Sequence, residues 1–218
     1  MKLSILGPAG SGKGQNTSRI ARRYNLKHVV VGDIVKKEIR EKTDVGKIMY
    51  DYTSVGKFVP TDIVMKVLNK QLAKLDGYDG YIIDTAPINM EQFEKMNTEE
   101  LDAVISLEVK DYDILRERVL NRLICPSCYA VTSVIDAPEK HCLDCGAELE
   151  HRYDDNLPTL NFRLKQYETD TIPVLKEFTK LGKLIKVDAS LGKEEVFKQI
   201  CRKLDRFMAN KGKVEKND

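Results

Sequence analysis

The sequence predicts an α/β protein: a five-stranded parallel sheet with helices on both faces. Short apolar runs alternate with helical stretches along the 218 residues. Such alternation argues for parallel strands covered on both sides. Two features then fall where ligands bind such sheets, at the carboxyl ends of strands: a glycine-rich turn ending in Lys13, and the carboxylate of Asp84.

In chain order, residues 3–6 form the first strand, and 17–24 continue a helix begun at the glycine-rich turn. Residues 28–31 make a second strand, short and β-branched. Gly32-Asp33 starts a helix over 34–41, and 45–52 form another. Thr61-Asp62 caps a helix over 63–75, with apolar residues at 63, 64, 67, 68, 72 and 75. Residues 80–84 are a buried strand, 103–109 a fourth, and Asp111 caps a helix over 112–123. A long helix over 158–181, a fifth strand at 183–187 and a last helix over 193–208 complete the series. The charged tail 211–218 frays.

A chain of this length buries a sizeable core, and one domain with insertions is the natural organisation. The composition, 42% hydrophobic and 32% charged, is that of a globular protein. A net charge of +2 gives no reason to expect a nucleic-acid or membrane partner. No transmembrane run or signal peptide is seen, so the expected location is the cytoplasm. There, five cysteines point to metal or thiols rather than disulfides.

Gly7-Pro8-Ala9-Gly10-Ser11-Gly12-Lys13 fits G-x-x-x-x-G-K, the phosphate-binding loop. Glycines let the backbone curl around a polyphosphate and turn its N–H groups inward, and the helix N-terminus adds partial positive charge. Lys13 reaches the terminal phosphates as a point charge. A plain glycine-rich turn is the alternative, opposed by the strand before, the helix after and the final lysine. The Ser or Thr that usually follows the lysine is Gly14, with Gln15 next, so Mg²⁺ is held mainly by phosphate oxygens and water. Asp84 is the natural partner of such a loop, orienting Mg²⁺ or its waters; a turn cap is its plainer reading.

Cys125-x-x-Cys128 and Cys142-x-x-Cys145 stand with thirteen residues between the pairs. Two such knuckles present four thiolates in a tetrahedron that suits Zn²⁺. All four positions being cysteine leaves no open coordination site, so the zinc is structural, and it supplies stability that residues 129–141 lack. A redox dithiol pair is the competing reading. His141 is a spare neighbour, and Cys201 is a core residue at helical spacing with Val196, Phe197 and Ile200. Zinc ribbons often bind nucleic acid, but Asp154-Asp155 disfavours that here. Arg116, Arg118, Arg122, Arg152 and Arg163 flank the ribbon as a ring closing over phosphates.

These residues carry a resemblance to the adenylate kinases, in the form whose lid is a zinc knuckle. The matching set is the loop with Lys13-Gly14, Gly32-Asp33, Gly56-Lys57-Phe58-Val59-Pro60, Arg118-x-x-x-Arg122, the four cysteines, Arg152-Tyr153-Asp154-Asp155 and Arg163-Leu164. The resemblance implies a P-loop kinase core over 1–30, 60–121 and 157–218, a helical acceptor-binding insert over 31–59 and a zinc-knuckle lid over 122–156. It implies reversible phosphoryl transfer from MgATP to AMP by a monomer. Gly7, Ala9, Gly10, Ser11, Gly12, Lys13, Gly14 and Gln15 would hold ATP, with Arg118 stacking on the donor base. Lys13, Asp84, Arg122, Arg152 and Arg163 would be catalytic, Arg122 also touching ATP. Val31, Lys36, Lys57, Val59, Thr85, Ile88, Gln92, Arg152 and Arg163 would line the acceptor site, Gln92 reading adenine.

The chain departs from the family at that acceptor site. In place of Asp-Gly-Phe-Pro-Arg-Thr it carries Asp84-Thr85-Ala86-Pro87-Ile88-Asn89. The arginine that clamps the acceptor phosphate is Ile88, the arginine of the insert is Lys36, and the usual Thr is Val31. Lys37, Arg40, Lys47 and Lys57 are the available replacements. Two other functions follow from these departures: a P-loop kinase with a different acceptor, or a nucleotide-binding regulator or slow ATPase whose zinc element serves a partner.

Overall fold

The computed structural model describes residues 1–54, 59–75 and 78–214. In chain order the first elements are β1 (Lys2–Leu6), α1 (Lys13–Arg23), β2 (Lys27–Val30), α2 (Val31–Arg40), α3 (Asp44–Thr53), α4 (Thr61–Leu72), β3 (Tyr81–Asp84) and α5 (Met90–Lys95). There follow β4 (Ala103–Glu108), α6 (Tyr112–Leu120), β5 (Arg122–Ile124), β6 (Val131–Ser133), α7 (Leu157–Gln166), α8 (Ile172–Lys180), β7 (Leu184–Asp188) and α9 (Lys193–Val214).

Five strands form one parallel sheet in the order β2-β3-β1-β4-β7. Alternate strand residues feed two cores. Leu3, Ile5, Ile82 and Ile105 face Ile20 of α1, Leu115 of α6, Leu160 of α7 and Ile200 of α9. Leu6, Ile83 and Val104 face Met65 and Leu68 of α4 and Val174 and Phe178 of α8. Phe93 of α5 meets Phe178 edge-on, with ring centroids 5.1 Å apart. Each such side chain contributes about 1.5–3 kcal/mol on full burial, so the sheet is held from both faces.

From β1 the chain goes to β2 on one side, and β4 lies on the other, so the strand order reverses at β1. That switch point is where open α/β sheets bind ligands. Residues 7–12 leave β1 there, and Asp84 ends the neighbouring strand in register with Ile5.

Several boundaries differ from expectation for local reasons. The second strand stops at Val30, and α2 starts at Val31 rather than after Gly32-Asp33. Thr61 is the first residue of α4, not its cap: Pro60 holds that position, and its carbonyl accepts from the N–H groups of Ile63 and Val64. Asp111 does cap α6, accepting from the Asp113 N–H at 2.9 Å, but the helix ends at Leu120 and Arg122 opens β5. The long helix is interrupted by a π turn, Tyr167–Thr171. Pro173 has no N–H to offer the preceding turn, and the ladder widens just before it. Helix α5, capped by the Asn89 carboxamide at 2.8 Å from the Gln92 N–H, had no sequence expectation.

Helices α2 and α3 form a tight hairpin. The Thr43 hydroxyl caps α3 by accepting from the Gly46 N–H at 2.9 Å. Gly46 must lack a side chain, because a Cβ would stand 2.0 Å from the Glu38 carbonyl oxygen.

Candidate active site

The loop after β1 needs its glycines. Gly10 and Gly12 have φ of +83° and +84°, and Gly12 caps α1. No acidic residue stands in the first turn of α1, so its N-terminus is open to an anion. The Ser11 hydroxyl and Asn16 Oδ1 are buried beside the loop without a hydrogen-bond partner among the described residues, as groups built for a ligand are. Gln15 is exposed. Lys13 folds back over the loop, its ammonium donating to the carbonyls of Gly7 at 2.7 Å and Pro8 at 2.9 Å. Burial lowers its pKa from 10.5 to about 8; Asp84 opposes that shift, while Arg122 and Arg163 reinforce it.

Asp84 is buried against the start of α1, where a Cβ on Gly14 would lie 3.4 Å from its Oδ2. Burial pushes its carboxyl up, but His28, Thr85 and Lys13 together hold it below the usual carboxylate range. His28 Nε2 lies 3.9 Å from Oδ2, and the Thr85 hydroxyl donates to Oδ1 at 2.7 Å.

Of the predicted arginines, Arg122 and Arg163 stand near enough to Lys13 to act on its charge. Arg122 Nε donates to Asp155 Oδ2 at 2.7 Å, and Nη2 to Oδ1. Arg163 donates to Asp154 Oδ2 at 2.7 Å. The Arg152 carbonyl accepts from the Asp155 N–H at 3.1 Å, while its guanidinium has no ion pair among the described residues. Arg118 forks onto the loop between β7 and α9, donating to the carbonyls of Ala189, Ser190 and Leu191 at 2.6, 3.1 and 2.9 Å.

The four cysteines of the inserted segment converge. Their sulfurs all lie within 4.8 Å of one another, Cys125 to Cys145 at 3.4 Å and Cys128 to Cys142 at 3.5 Å. Tetrahedral zinc with Zn–S bonds of about 2.3 Å needs sulfurs about 3.8 Å apart, so the set fits. The segment otherwise has only a small core, Leu123, Ala137 and Leu149 around buried Cys125 and Cys142. His141 turns away, its Nδ1 on the Glu139 carbonyl at 2.8 Å. Cys201 is buried in α9 beside Val196 and Ile200.

Comparison with known proteins decides the family. The model of the family "Adenylate kinase" matches residues 5–183. The chain belongs to the adenylate kinase family. A relative named adenylate kinase from Thermoanaerobacter sp. (strain X514) is 34% identical over 94% of this chain and 98% of its own. Others, from Caldanaerobacter subterraneus subsp. tengcongensis and Methanothrix thermoacetophila, are 33% and 32% identical over 94% and 95% of this chain. The protein is therefore a phosphotransferase, of the nucleoside monophosphate kinase class.

Most of the residues expected to line an acceptor site lie on α2, just after β3 or on α5. Val31 opens α2 and is half-buried. Lys36 is 74% exposed, with Asp33 at 3.7 Å. Ile88 packs against the core cluster around Phe178. Its N–H donates to Gln92 Oε1 at 2.9 Å, and its carbonyl accepts from the Thr171 hydroxyl at 2.9 Å. Gln92 is buried, Val59 half-buried, and Lys57 lies outside the described residues. Of the replacement cations, Lys37 pairs with Glu41 at 3.9 Å and Lys47 with Asp44 at 3.0 Å. Arg40 is exposed and has no ion pair among the described residues.

Sequence reasoning missed His28, read only as part of a strand, and the acceptor role of Asp155 toward Arg122. His28 was findable in principle: β2 and β3 pair in parallel, so their carboxyl ends meet.

Proposed function

We propose that this protein transfers the γ-phosphoryl group of MgATP reversibly to AMP, giving two ADP. The observation that carries the reading is the enclosure of the Lys13 ammonium: loop carbonyls hold it, and Asp84, Arg122 and Arg163 all act on it. A cation fixed at a helix N-terminus and faced by guanidinium groups suits a polyphosphate and the charge that develops on a phosphoryl group in transit.

The reaction asks little covalent chemistry of the protein. An oxygen of the acceptor phosphate attacks the γ-phosphorus in line as the bond to the β–γ bridging oxygen breaks, and the protein supplies position and charge. In this reading Gly7, Ala9, Gly10, Ser11, Gly12, Gly14 and Gln15 cradle the donor phosphates. Lys13 follows the γ-phosphoryl group. Arg122, Arg152 and Arg163 stabilise its charge, and Arg118 turns to stack on the donor base. Asp84, buried and held as a carboxylate, suits the hydrated cation that accompanies ATP. Asp84 would orient the Mg²⁺ that accompanies ATP, which would supply charge neutralisation on the phosphates. The four cysteines, offering no open position, hold zinc as a structural ion.

Residues 122–156 act as the lid and 31–59 as the acceptor insert over the remaining core. Closure expels water and strengthens the arginine contacts; adenylate kinase lids are themselves a standard example of such closure. The protein acts as a monomer in the cytoplasm. None of the described helices is long and apolar enough to cross a membrane.

A second reading rests on Ile88, half-buried against the core, where the family resemblance places a phosphate clamp. An acceptor other than AMP would then be used. A panel of nucleoside monophosphates with MgATP, read as ADP production, separates the two. AMP turning over fastest supports the first reading, and a silent AMP beside another active acceptor replaces it with the second.

A further inference from the structure

Thr85 follows Asp84 at the end of β3 with a left-handed backbone, φ +69°. For a β-branched residue this is an outlier, because the side chain crowds its own backbone. Such strain persists only where the surroundings over-determine it, and it gathers at functional sites.

Here the chain is pinned on both sides. The Thr85 N–H donates to the Ile5 carbonyl of β1 at 3.2 Å, and the Ser4 hydroxyl donates to the Ala86 carbonyl at 2.5 Å. Ile88 is tied through both its backbone groups to Gln92 and Thr171. So held, Thr85 directs its hydroxyl back to Asp84 Oδ1 at 2.7 Å. A glycine would adopt this backbone without strain. The hydroxyl is what the strained residue provides.

We propose that Thr85 is a positioning residue: its hydroxyl holds Oδ1 of Asp84 and so turns Oδ2 toward Gly14 at the mouth of the phosphate-binding loop. The inference rests on the reading that Asp84 serves phosphoryl transfer. The other groups facing this carboxylate are His28 of β2, 3.9 Å from Oδ2, and Lys13 of α1, whose ammonium is hydrogen-bonded to Gly7 and Pro8. Thr85 alone among these makes a hydrogen bond to Oδ1, and rotation about Cβ–Cγ is then blocked by that bond.

The test compares Thr85→Val, Thr85→Gly, Thr85→Ser and Asp84→Asn. Three quantities are read: kcat with saturating MgATP and AMP, the Mn²⁺ affinity of the ATP complex by electron paramagnetic resonance, and the melting temperature. Loss of the hydroxyl in Thr85→Val and Thr85→Gly is expected to lower kcat and Mn²⁺ affinity about tenfold each. Thr85→Ser is expected to recover most of that loss. Thr85→Gly should melt at or above the wild-type temperature, which separates positioning from folding. Wild-type kcat and Mn²⁺ affinity in both Thr85→Val and Thr85→Gly, with both lost in Asp84→Asn, would overturn the inference. Wild-type values in Asp84→Asn would instead overturn the reading of Asp84, and the inference with it.

Discussion

Arg122 and Asp155 grip each other where the chain enters and leaves the cysteine segment: Arg122 opens β5, and Asp155 stands just before α7. The pair is two-pronged, and the Asp155 carboxylate is completely buried while Arg122 is 19% exposed. Burying both charges is costly, and the bidentate geometry offsets it. Asp155→Ala leaves a buried guanidinium unpaired, so it should destabilise the protein by about 3 kcal/mol. Urea unfolding measures this. A loss no larger than that of an exposed pair, below about 1 kcal/mol, would show that solvent screens the contact.

Lys13 gives a pH dependence with a definite sign. Burial lowers its pKa from 10.5 to about 8. Between those values the unfolded chain holds more protons than the folded one, so this group's contribution to stability rises as pH climbs through about 8. ATP binding runs the other way, because it needs the ammonium: affinity should fall above about pH 8, and binding there should take up a proton. Calorimetry in two buffers of different ionisation heat measures the uptake. Lys13→Gln should abolish it, and wild-type binding without uptake would contradict the assignment.

Zinc removal should unfold the inserted segment and spare the sheet. The segment's own core is Leu123, Ala137 and Leu149 around two cysteines, too little to order it alone. Treatment with a strong chelator should abolish turnover and expose amides of 122–150 to hydrogen exchange, with β1, β3 and β4 still protected. Full activity after measured metal loss would contradict a structural role.

Ile88→Arg would introduce the phosphate clamp that the family resemblance implies at this position. A regained charge-assisted contact is worth roughly 1.5–3 kcal/mol, so KM for AMP should fall about tenfold or more. If the arginine leaves KM unchanged, the acceptor phosphate does not approach residue 88.

How much was legible in the sequence depended on range. The phosphate loop reads directly, because Gly10 and Gly12 answer a local backbone demand and Lys13 ends the pattern. The metal set reads from spacing, because each knuckle is built within four residues. Asp84 reads from the apolar strand it closes. The six-residue helix α5 was too short to show a period, and the three-residue strands β5 and β6 depend on the knuckles that frame them. The Arg118 fork and the Asp84–His28 approach were invisible because their partners are distant in the chain. The expected acceptor site was legible mainly as departures, Ile88 and Lys36; the structure packs the first, half-buried, against the core and leaves the second largely in solvent.

In the proposed function the enclosed Lys13 ammonium serves phosphoryl transfer to AMP. The measurement that tests it most directly is ADP production from MgATP and AMP by the wild type and by Lys13→Ala, with folding of both confirmed by melting. Turnover is expected in the wild type, with a loss of at least about a hundredfold in the variant, from removal of a preorganised charge at the reacting phosphate. Undiminished turnover in a folded Lys13→Ala protein would contradict it.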